Sequence, residues 1–171
     1  MEYFTSDLHD NDAGMIRYAH RPYATVKEQH NAIVSYWNGL VHPDDDVWIL
    51  GDVGDPEILK ELHGRLHVIL GNHDDYEHIV SVAPDNVEDI IRWPILYKGM
   101  VLSHQPVTDF PAGSKYINVH GHLHDHDYGV GRWIDGNRYV NVCADRNDFK
   151  LLTLDDIEDR LEWFDLERSY D

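Results

Sequence analysis

Eight polar residues with side chains of the kinds that bind metal ions lie near the ends of predicted strands. They are Asp7, His9, Asp52, Asn72, His73, His104, His122 and His124. Together they offer carboxylate oxygens, an amide oxygen and imidazole nitrogens, without a thiolate. This mixed donor set suits manganese, iron, zinc, nickel or cobalt, and it argues against a structural zinc site of the cysteine type.

Two pairs of these residues are separated by one position, Asp7 with His9 and His122 with His124. On an extended chain, residues two apart project to the same face, so each pair can bind one ion locally. The whole set exceeds the needs of one ion, and two divalent ions sharing a bridging carboxylate are the economical interpretation. Such a pair can bind two phosphate oxygens and a bridging hydroxide, which is a nucleophile at neutral pH.

The elements that must position these residues are short apolar strands. Strands are predicted at 1–6, 47–50 and 66–70, with helices between them at 25–39 and 55–64. This alternation of strands and helices predicts a parallel sheet. Because open sheets of this kind bind ligands at the carboxyl ends of their strands, the polar residues that follow the strands should meet at one edge.

The second half of the sequence is dominated by short strands. They are predicted at 87–91, 95–97, 100–103, 116–120, 132–134, 138–142 and 151–154, with a hairpin signal at 135–137. Helices are predicted near 75–82 and from Asp155 onward. The sequence shows no linker and no repeat, so we expect residues 1–171 to form one α/β domain of two packed sheets covered by helices.

The composition restricts the partners of this protein. Its 32 acidic residues outnumber 14 basic ones and give a net charge of −18, which repels the phosphate backbone of long nucleic acids. Cys143 is the only cysteine, so an intrachain disulfide is excluded. We find no signal-peptide pattern and no run of the ~18 apolar residues that a membrane span needs. We therefore expect a cytoplasmic protein without membrane contact.

The ligand-type residues belong to five short sequence blocks. In chain order the blocks are Asp7-x-His9, Gly51-Asp52, Gly71-Asn72-His73-Asp74, Ser103-His104 and Gly121-His122-x-His124. In these blocks and their order the chain resembles the calcineurin-like metallophosphoesterases over residues 7–124. It is most similar to small phage- and bacteria-type members that start with an FTSDLH strand and have no cap domain. Such relatives often carry Gly-His after the first block, where this chain has Asp10-Asn11-Asp12.

The resemblance implies a four-layer α-β-β-α sandwich of two packed mixed sheets and a site with two divalent metal ions. Manganese is the first choice, with iron, zinc, nickel or cobalt as alternatives. One ion would be held by Asp7, His9 and His124 and the other by Asn72, His104 and His122, with Asp52 bridging them. With Asn72, His73 would contact the substrate phosphate and protonate the leaving oxygen, and Asp74 would orient His73.

The resemblance further implies a phosphodiester substrate of nucleotide size, including 2′,3′-cyclic nucleotides, because small uncapped members commonly hydrolyse such diesters. A phosphomonoesterase or protein phosphatase is the alternative. A nuclease is disfavoured by the charge, and a non-catalytic scaffold is disfavoured by the intact ligand set. The sequence leaves the oligomeric state open.

The walls of the substrate pocket are expected at 10–23, 109–116 and 125–133. Candidate substrate-binding side chains in and near these segments are Arg17, Arg21, Lys115, Arg132, Tyr18, Tyr116, Tyr128 and Trp133. Three further tryptophans are expected in the core: Trp37, Trp48 and Trp93.

Overall fold

A computed structural model describes residues 1–111, 114–125 and 138–168, with side chains described as far as Leu161. The strand predicted at 132–134 and the hairpin at 135–137 lie outside these residues. So do Tyr128, Arg132 and Trp133, and most of the pocket wall expected at 125–133.

Within this described part, nine strands form two mixed sheets. The strands are β1 (Glu2–Thr5), β2 (Asp46–Leu50), β3 (Arg65–Ile69), β4 (Val87–Ile91), β5 (Ile95–Tyr97), β6 (Met100–Ser103), β7 (Ile117–His120), β8 (Arg138–Asn141) and β9 (Leu152–Thr153). The first sheet has the order β4-β3-β2-β1-β9, with β1 to β4 parallel and β9 antiparallel to β1. The second has the order β5-β6-β7-β8, with only β5 antiparallel. The predicted α/β fold with two mixed sheets is confirmed.

The described helices are α1 (Ala13–Tyr18), α2 (Val26–Leu40), α3 (Tyr76–Val82) and α4 (Leu154–Arg168). Thr25 caps α2, because its Oγ1 accepts the N–H of Glu28 at 3.1 Å. The cap satisfies an N–H group that has no partner inside the helix, and this fixes where α2 begins. None of the helices described combines the length and the apolar character needed to cross a membrane.

The helix predicted at 55–64 is only a 3₁₀ turn, Pro56–Lys60. Asn38 on α2 binds the backbone that follows this turn. Its side chain donates to the carbonyl oxygen of Glu61 at 2.7 Å and accepts the N–H of His63 at 2.9 Å. The prediction was wrong because these contacts with α2 were not visible in the sequence.

The first sheet is covered on both faces. On one face, Ile49 belongs to a core that includes Trp37 of α2. On the other face, Leu50 belongs to a core that includes Leu102 and Val119 of the second sheet. This explains why all of β2 after its first residue is apolar and buried.

Trp93 was expected in the core, but 74% of its surface is exposed. It lies in the short link between β4 and β5, which carries the chain from the first sheet to the second. Ile91 and Ile95 on either side pack against the second core, but Trp93 itself belongs to neither core. Trp37 and Trp48 are buried, as predicted.

Candidate metal centre

The ligand-type residues lie just past the carboxyl ends of parallel strands in both sheets. In chain order they follow β1 (Asp7, His9), β2 (Asp52), β3 (Asn72, His73), β6 (His104) and β7 (His122, His124). The loops are joined to one another, since the N–H of Asp7 donates to Gly51 and the N–H of His9 donates to Asp52. The structure therefore brings these residues together at one edge.

Five of these residues have a backbone φ in the left-handed region. The angles are 57° for Asp7, 46° for His9, 53° for Asp52, 69° for His122 and 48° for His124. A residue with a Cβ rarely adopts this conformation, which costs about 1–3 kcal/mol each time. Because such strain concentrates at functional sites, its accumulation here marks this edge as more than a set of connecting loops.

Gly71 and Gly121 are required by the close approach of carboxylates. A Cβ at Gly71 would lie 2.0 Å from Asp52 Oδ1, and a Cβ at Gly121 would lie 2.4 Å from Asp7 Oδ2. Both distances are too short for any side chain. The glycines of these sequence blocks thus give the two carboxylates their positions.

One group of ligand atoms is formed by Asp7, His9 and His124, which are all buried. The Nε2 atoms of His9 and His124 lie 3.9 and 3.8 Å from Asp7 Oδ1. Asp7 Oδ2 accepts the N–H of His122 at 2.9 Å. Among the described residues, Asp7 Oδ1 and His9 Nε2 have no hydrogen-bond partner. Burying such atoms is costly unless they bind something, and a cation satisfies an oxygen that faces two imidazole nitrogens.

The second group is formed by Asp52, His104 and His122, with Asn72 beside it. His104 Nε2 lies 3.4 Å from Asp52 Oδ2, 3.2 Å from His122 Nδ1 and 2.9 Å from Asn72 Oδ1. His104 Nδ1 lies 2.9 Å from the carbonyl oxygen of Leu50, which can only accept a hydrogen bond. In a neutral ring the proton is therefore on Nδ1, and the lone pair of Nε2 points toward the other ligand atoms.

Asp52 belongs to the second group and also faces the first. Its Oδ2 lies 3.4 Å from His9 Nε2 in one group and 3.4 Å from His104 Nε2 in the other. Its Oδ1 accepts the N–H of His73 at 2.9 Å, which fixes the orientation of the carboxylate. Burial acts to raise the pKa of Asp52, but the interactions with His104 and the His73 N–H outweigh it and lower the pKa to about 2. Asp52 is therefore ionised at neutral pH and lies where a bridging ligand would have to be.

The two groups fit a pair of divalent metal ions. Asp7 and His9 share a group as expected, but His122 and His124 lie in different groups. The expectation assumed an extended chain, whereas both histidines have a left-handed backbone. Each group contains a carboxylate and two imidazoles, which are oxygen and nitrogen donors that first-row transition metals accept. Burial, the largest influence, lowers the pKa of His9 to about 4. Its ring is thus neutral at pH 7, the form that binds metals.

A buried ion pair that the sequence analysis missed supports the first group. His124 Nδ1 lies 2.6 Å from Asp145 Oδ2, so the ring donates to this carboxylate and presents Nε2 toward Asp7. Asp145 also accepts two hydrogen bonds from Arg21, at 2.7 and 2.9 Å. Arg21 further donates to the carbonyl oxygens of Asp7 and Leu8. Its guanidinium is therefore engaged in supporting the loop after β1, and it is not a substrate-binding cation.

Asp145 could have been found from the sequence. It follows β8 as the other acidic ligands follow their strands, although three residues separate it from the strand end. No spacing pointed to Arg21, because its role depends on where the loop before α2 packs.

We expect Asp145→Asn to weaken metal binding about 10- to 100-fold. The substitution removes the charge that fixes the His124 tautomer and leaves Arg21 buried without its counter-charge. Metal affinity can be measured by competition with a chromogenic chelator. Asp148→Asn is the matched control, because Asp148 is exposed and its left-handed φ of 51° is tolerated by asparagine. Equal affinity in the wild type and Asp145→Asn would contradict the supporting role.

His73 lies at an open cleft of about 350 Å³, called here the first cleft. The other lining residues are Met15, Tyr18, Asp52, His122, Leu123 and His124. The His73 ring is exposed, and its centroid lies 5.4 Å from that of His9. The structure thus places His73 beside the metal groups and within reach of a molecule in the cleft.

Asp74 makes contacts that differ from those expected. Its carboxylate accepts the N–H groups of Asp52, Val53 and Gly71 at 2.8–2.9 Å. These bonds tie the loop after β2 to the loop after β3. Asp74 therefore positions the backbone next to His73, and the expected contact with the His73 ring is replaced by these bonds.

Comparison with known proteins agrees with this geometry. The profile of the calcineurin-like phosphoesterases matches residues 3–167. An uncharacterized protein of Methanocaldococcus jannaschii is 29% identical, with 90% of this chain and 86% of that protein aligned. The gene 66 protein of Mycobacterium phage L5 is 28% identical, with 71% of this chain and 76% of that protein aligned. A solved structure of an Aquifex aeolicus protein of unknown function has a TM-score of 0.66 and 23% identity, covering 93% of this chain and 98% of that one, which supports the fold alone.

Proposed function

Because the chain belongs to the calcineurin-like phosphoesterase family, we propose that it is a phosphodiesterase acting on nucleotide-sized diesters. Family membership and the two ligand groups support a metal-dependent phosphoesterase. The preference for diesters, the nucleotide substrate and manganese as the metal are the proposal.

The observation that carries the proposal is the position of Asp52 between the two ligand groups. Its Oδ2 is equally distant from a histidine of each group, and the first cleft opens beside it. When bound, two metal ions would supply Lewis-acid activation of the phosphoryl group and of the attacking water. The chain then needs to orient the substrate and to deliver a proton to the leaving oxygen.

His73 and Asn72 are suited to these tasks. Both side chains are exposed, and they are neighbours in the loop after β3. The backbone of His73 is fixed on Asp52, which holds its imidazole beside the metal centre, where it can donate a proton. The amide of Asn72 turns its oxygen to His104, and its two N–H bonds can donate to a phosphate oxygen.

The size and charge of the surroundings support a small substrate. The first cleft is about 350 Å³, and Met15, Tyr18 and Leu123 give it apolar surface. The net charge of −18 opposes the approach of a long nucleic acid, which carries a phosphate on every nucleotide. A cyclic or small diester carries a single negative charge, which the metal centre would neutralise.

The test compares 4-nitrophenyl phosphate with bis(4-nitrophenyl) phosphate, which have the same leaving group. We expect chelation to abolish hydrolysis, manganese to restore it, and kcat/KM to be higher for the diester. Metal content should be measured on the same samples. A higher kcat/KM for the monoester would favour the phosphomonoesterase alternative, and activity that survives complete metal removal would contradict the proposal.

The same assay should include single-stranded DNA. We expect it to be cleaved more slowly than the small diester, and added salt should reduce the difference by screening repulsion over about 8–10 Å. Efficient cleavage of DNA that declines as salt rises would contradict the proposed substrate class.

A further inference from the structure

A second cleft adjoins the metal centre. Its volume is about 270 Å³, and its lining includes Asn72, Arg92, Trp93, Pro94, His104 and Gln105. Asn72 and His104 also belong to the candidate metal centre, where their side chains are 2.9 Å apart. The second cleft therefore shares a wall with the place where a phosphate would bind.

The two clefts border different parts of the centre. The first shares Asp52, His122 and His124 with it, whereas the second shares Asn72 and His104. A phosphorus atom held at the centre thus has space for substituents in two directions. A phosphodiester uses both, because it carries two substituents where a monoester carries one.

Trp93 gives the second cleft an exposed aromatic ring on an anchored segment. The indole is 74% exposed, whereas Trp37 and Trp48 are buried. The backbone on both sides is held in sheets, since β4 pairs with β3 as far as Ile91 and β5 pairs with β6 from Ile95. Because a tryptophan side chain has few rotatable bonds, its ring can stack on a ligand with little loss of conformational entropy.

Arg92 and Gln105 add polar groups to the same cleft. The Arg92 guanidinium lies 3.7 Å from the centre of the Tyr76 ring and 3.8 Å from the carboxylate of Glu77. Gln105 is exposed, and its amide has both donors and an acceptor. A nucleobase matches this combination, because it has a π face for stacking and polar edges for hydrogen bonds.

We propose that the second cleft binds the nucleobase of the substrate, stacked on the indole of Trp93. The assignment rests on the proposed function, because it takes the position of the phosphate from the adjoining metal centre. A bound substrate explains why the second cleft shares Asn72 and His104 with the metal centre. A protein partner docking on Trp93 would not need this shared wall.

The test measures equilibrium binding of two probes to the manganese-loaded protein by titration calorimetry. Adenosine 5′-phosphate carries a base, and ribose 5-phosphate lacks it. We expect the wild type to bind the first probe more tightly. Trp93→Ala should weaken its binding by roughly fivefold or more and leave ribose 5-phosphate unaffected. Trp93→Phe keeps an aromatic ring and should retain most of the affinity.

Leu96→Ala is the control, because Leu96 is a 69% exposed apolar residue on neighbouring β5. Equal affinity of the wild type for both probes would overturn the subsite, as would unchanged affinity in Trp93→Ala or an equal loss in Leu96→Ala. A changed sedimentation coefficient of Trp93→Ala would assign the ring to a subunit interface instead. Since binding is measured without turnover, a protein that binds the base through Trp93 but hydrolyses no diester would refute the proposed function alone.

Discussion

Replacing Asp52 by asparagine is expected to lower kcat by about 10³-fold or more, equivalent to roughly 4 kcal/mol of transition-state stabilisation. Asparagine keeps the size of the side chain and can still accept the His73 N–H. It loses the negative charge, and an NH₂ group cannot bind two cations as Oδ2 could. Steady-state kinetics and metal analysis of the same preparation should show loss of activity together with loss of bound metal.

Asp46→Asn is the matched control for this variant, because Asp46 is the first residue of β2 and Asp52 lies two positions past its last residue. Asp46 binds Arg65 at the opposite end of the strand. We expect its replacement to leave turnover nearly unchanged. If Asp52→Asn kept two metal ions and near-normal turnover, the bridging role of Asp52 would be refuted.

Replacing His73 by alanine should depend strongly on the leaving group. On alkyl diesters, whose leaving oxygen needs a proton, we expect a loss of about 10²–10⁴-fold in kcat, the usual contribution of a general acid. Nitrophenolate leaves without protonation, so nitrophenyl diesters should lose much less. Metal content should not change, because His73 belongs to neither ligand group.

His78→Ala is the control for His73, since His78 is an exposed histidine on α3, which begins soon after His73. It should have wild-type kinetics on both substrate classes. An equal loss of His73→Ala activity on alkyl and nitrophenyl diesters would rule out proton donation. The remaining role of His73 would then be to stabilise the charge of the phosphate.

The sequence by itself determined the strands and the residue types at their ends. An apolar run such as 47–50 has few structural alternatives when it ends in glycine, and parallel strands bring their carboxyl ends to one edge. The grouping of Asp7, His9 and His124 followed only from the family resemblance, and the structure places these three side chains together. Their roles as ligands stay predictions.

Contacts between segments far apart in the chain could not be predicted from local sequence patterns. Asp74 belongs to a sequence block and Asp145 follows a strand, but the partners that define their roles lie far along the chain. The turn Pro56–Lys60 has the pattern of a longer helix, which the side chain of Asn38 interrupts. In each case the deciding hydrogen bond exists only after the elements have packed.

The exposure of Trp93 shows that the burial of a side chain, like its contacts, could not be predicted from the sequence alone. A tryptophan among apolar residues is expected in a core, because burying its ring is favourable. Whether a layer covers a given position depends on where the sheets and helices end in space. The sequence determined what each strand end could bind, through local pattern and residue type. Only the tertiary structure decided which side chains face one another and which stay open to a ligand, because both depend on long-range packing.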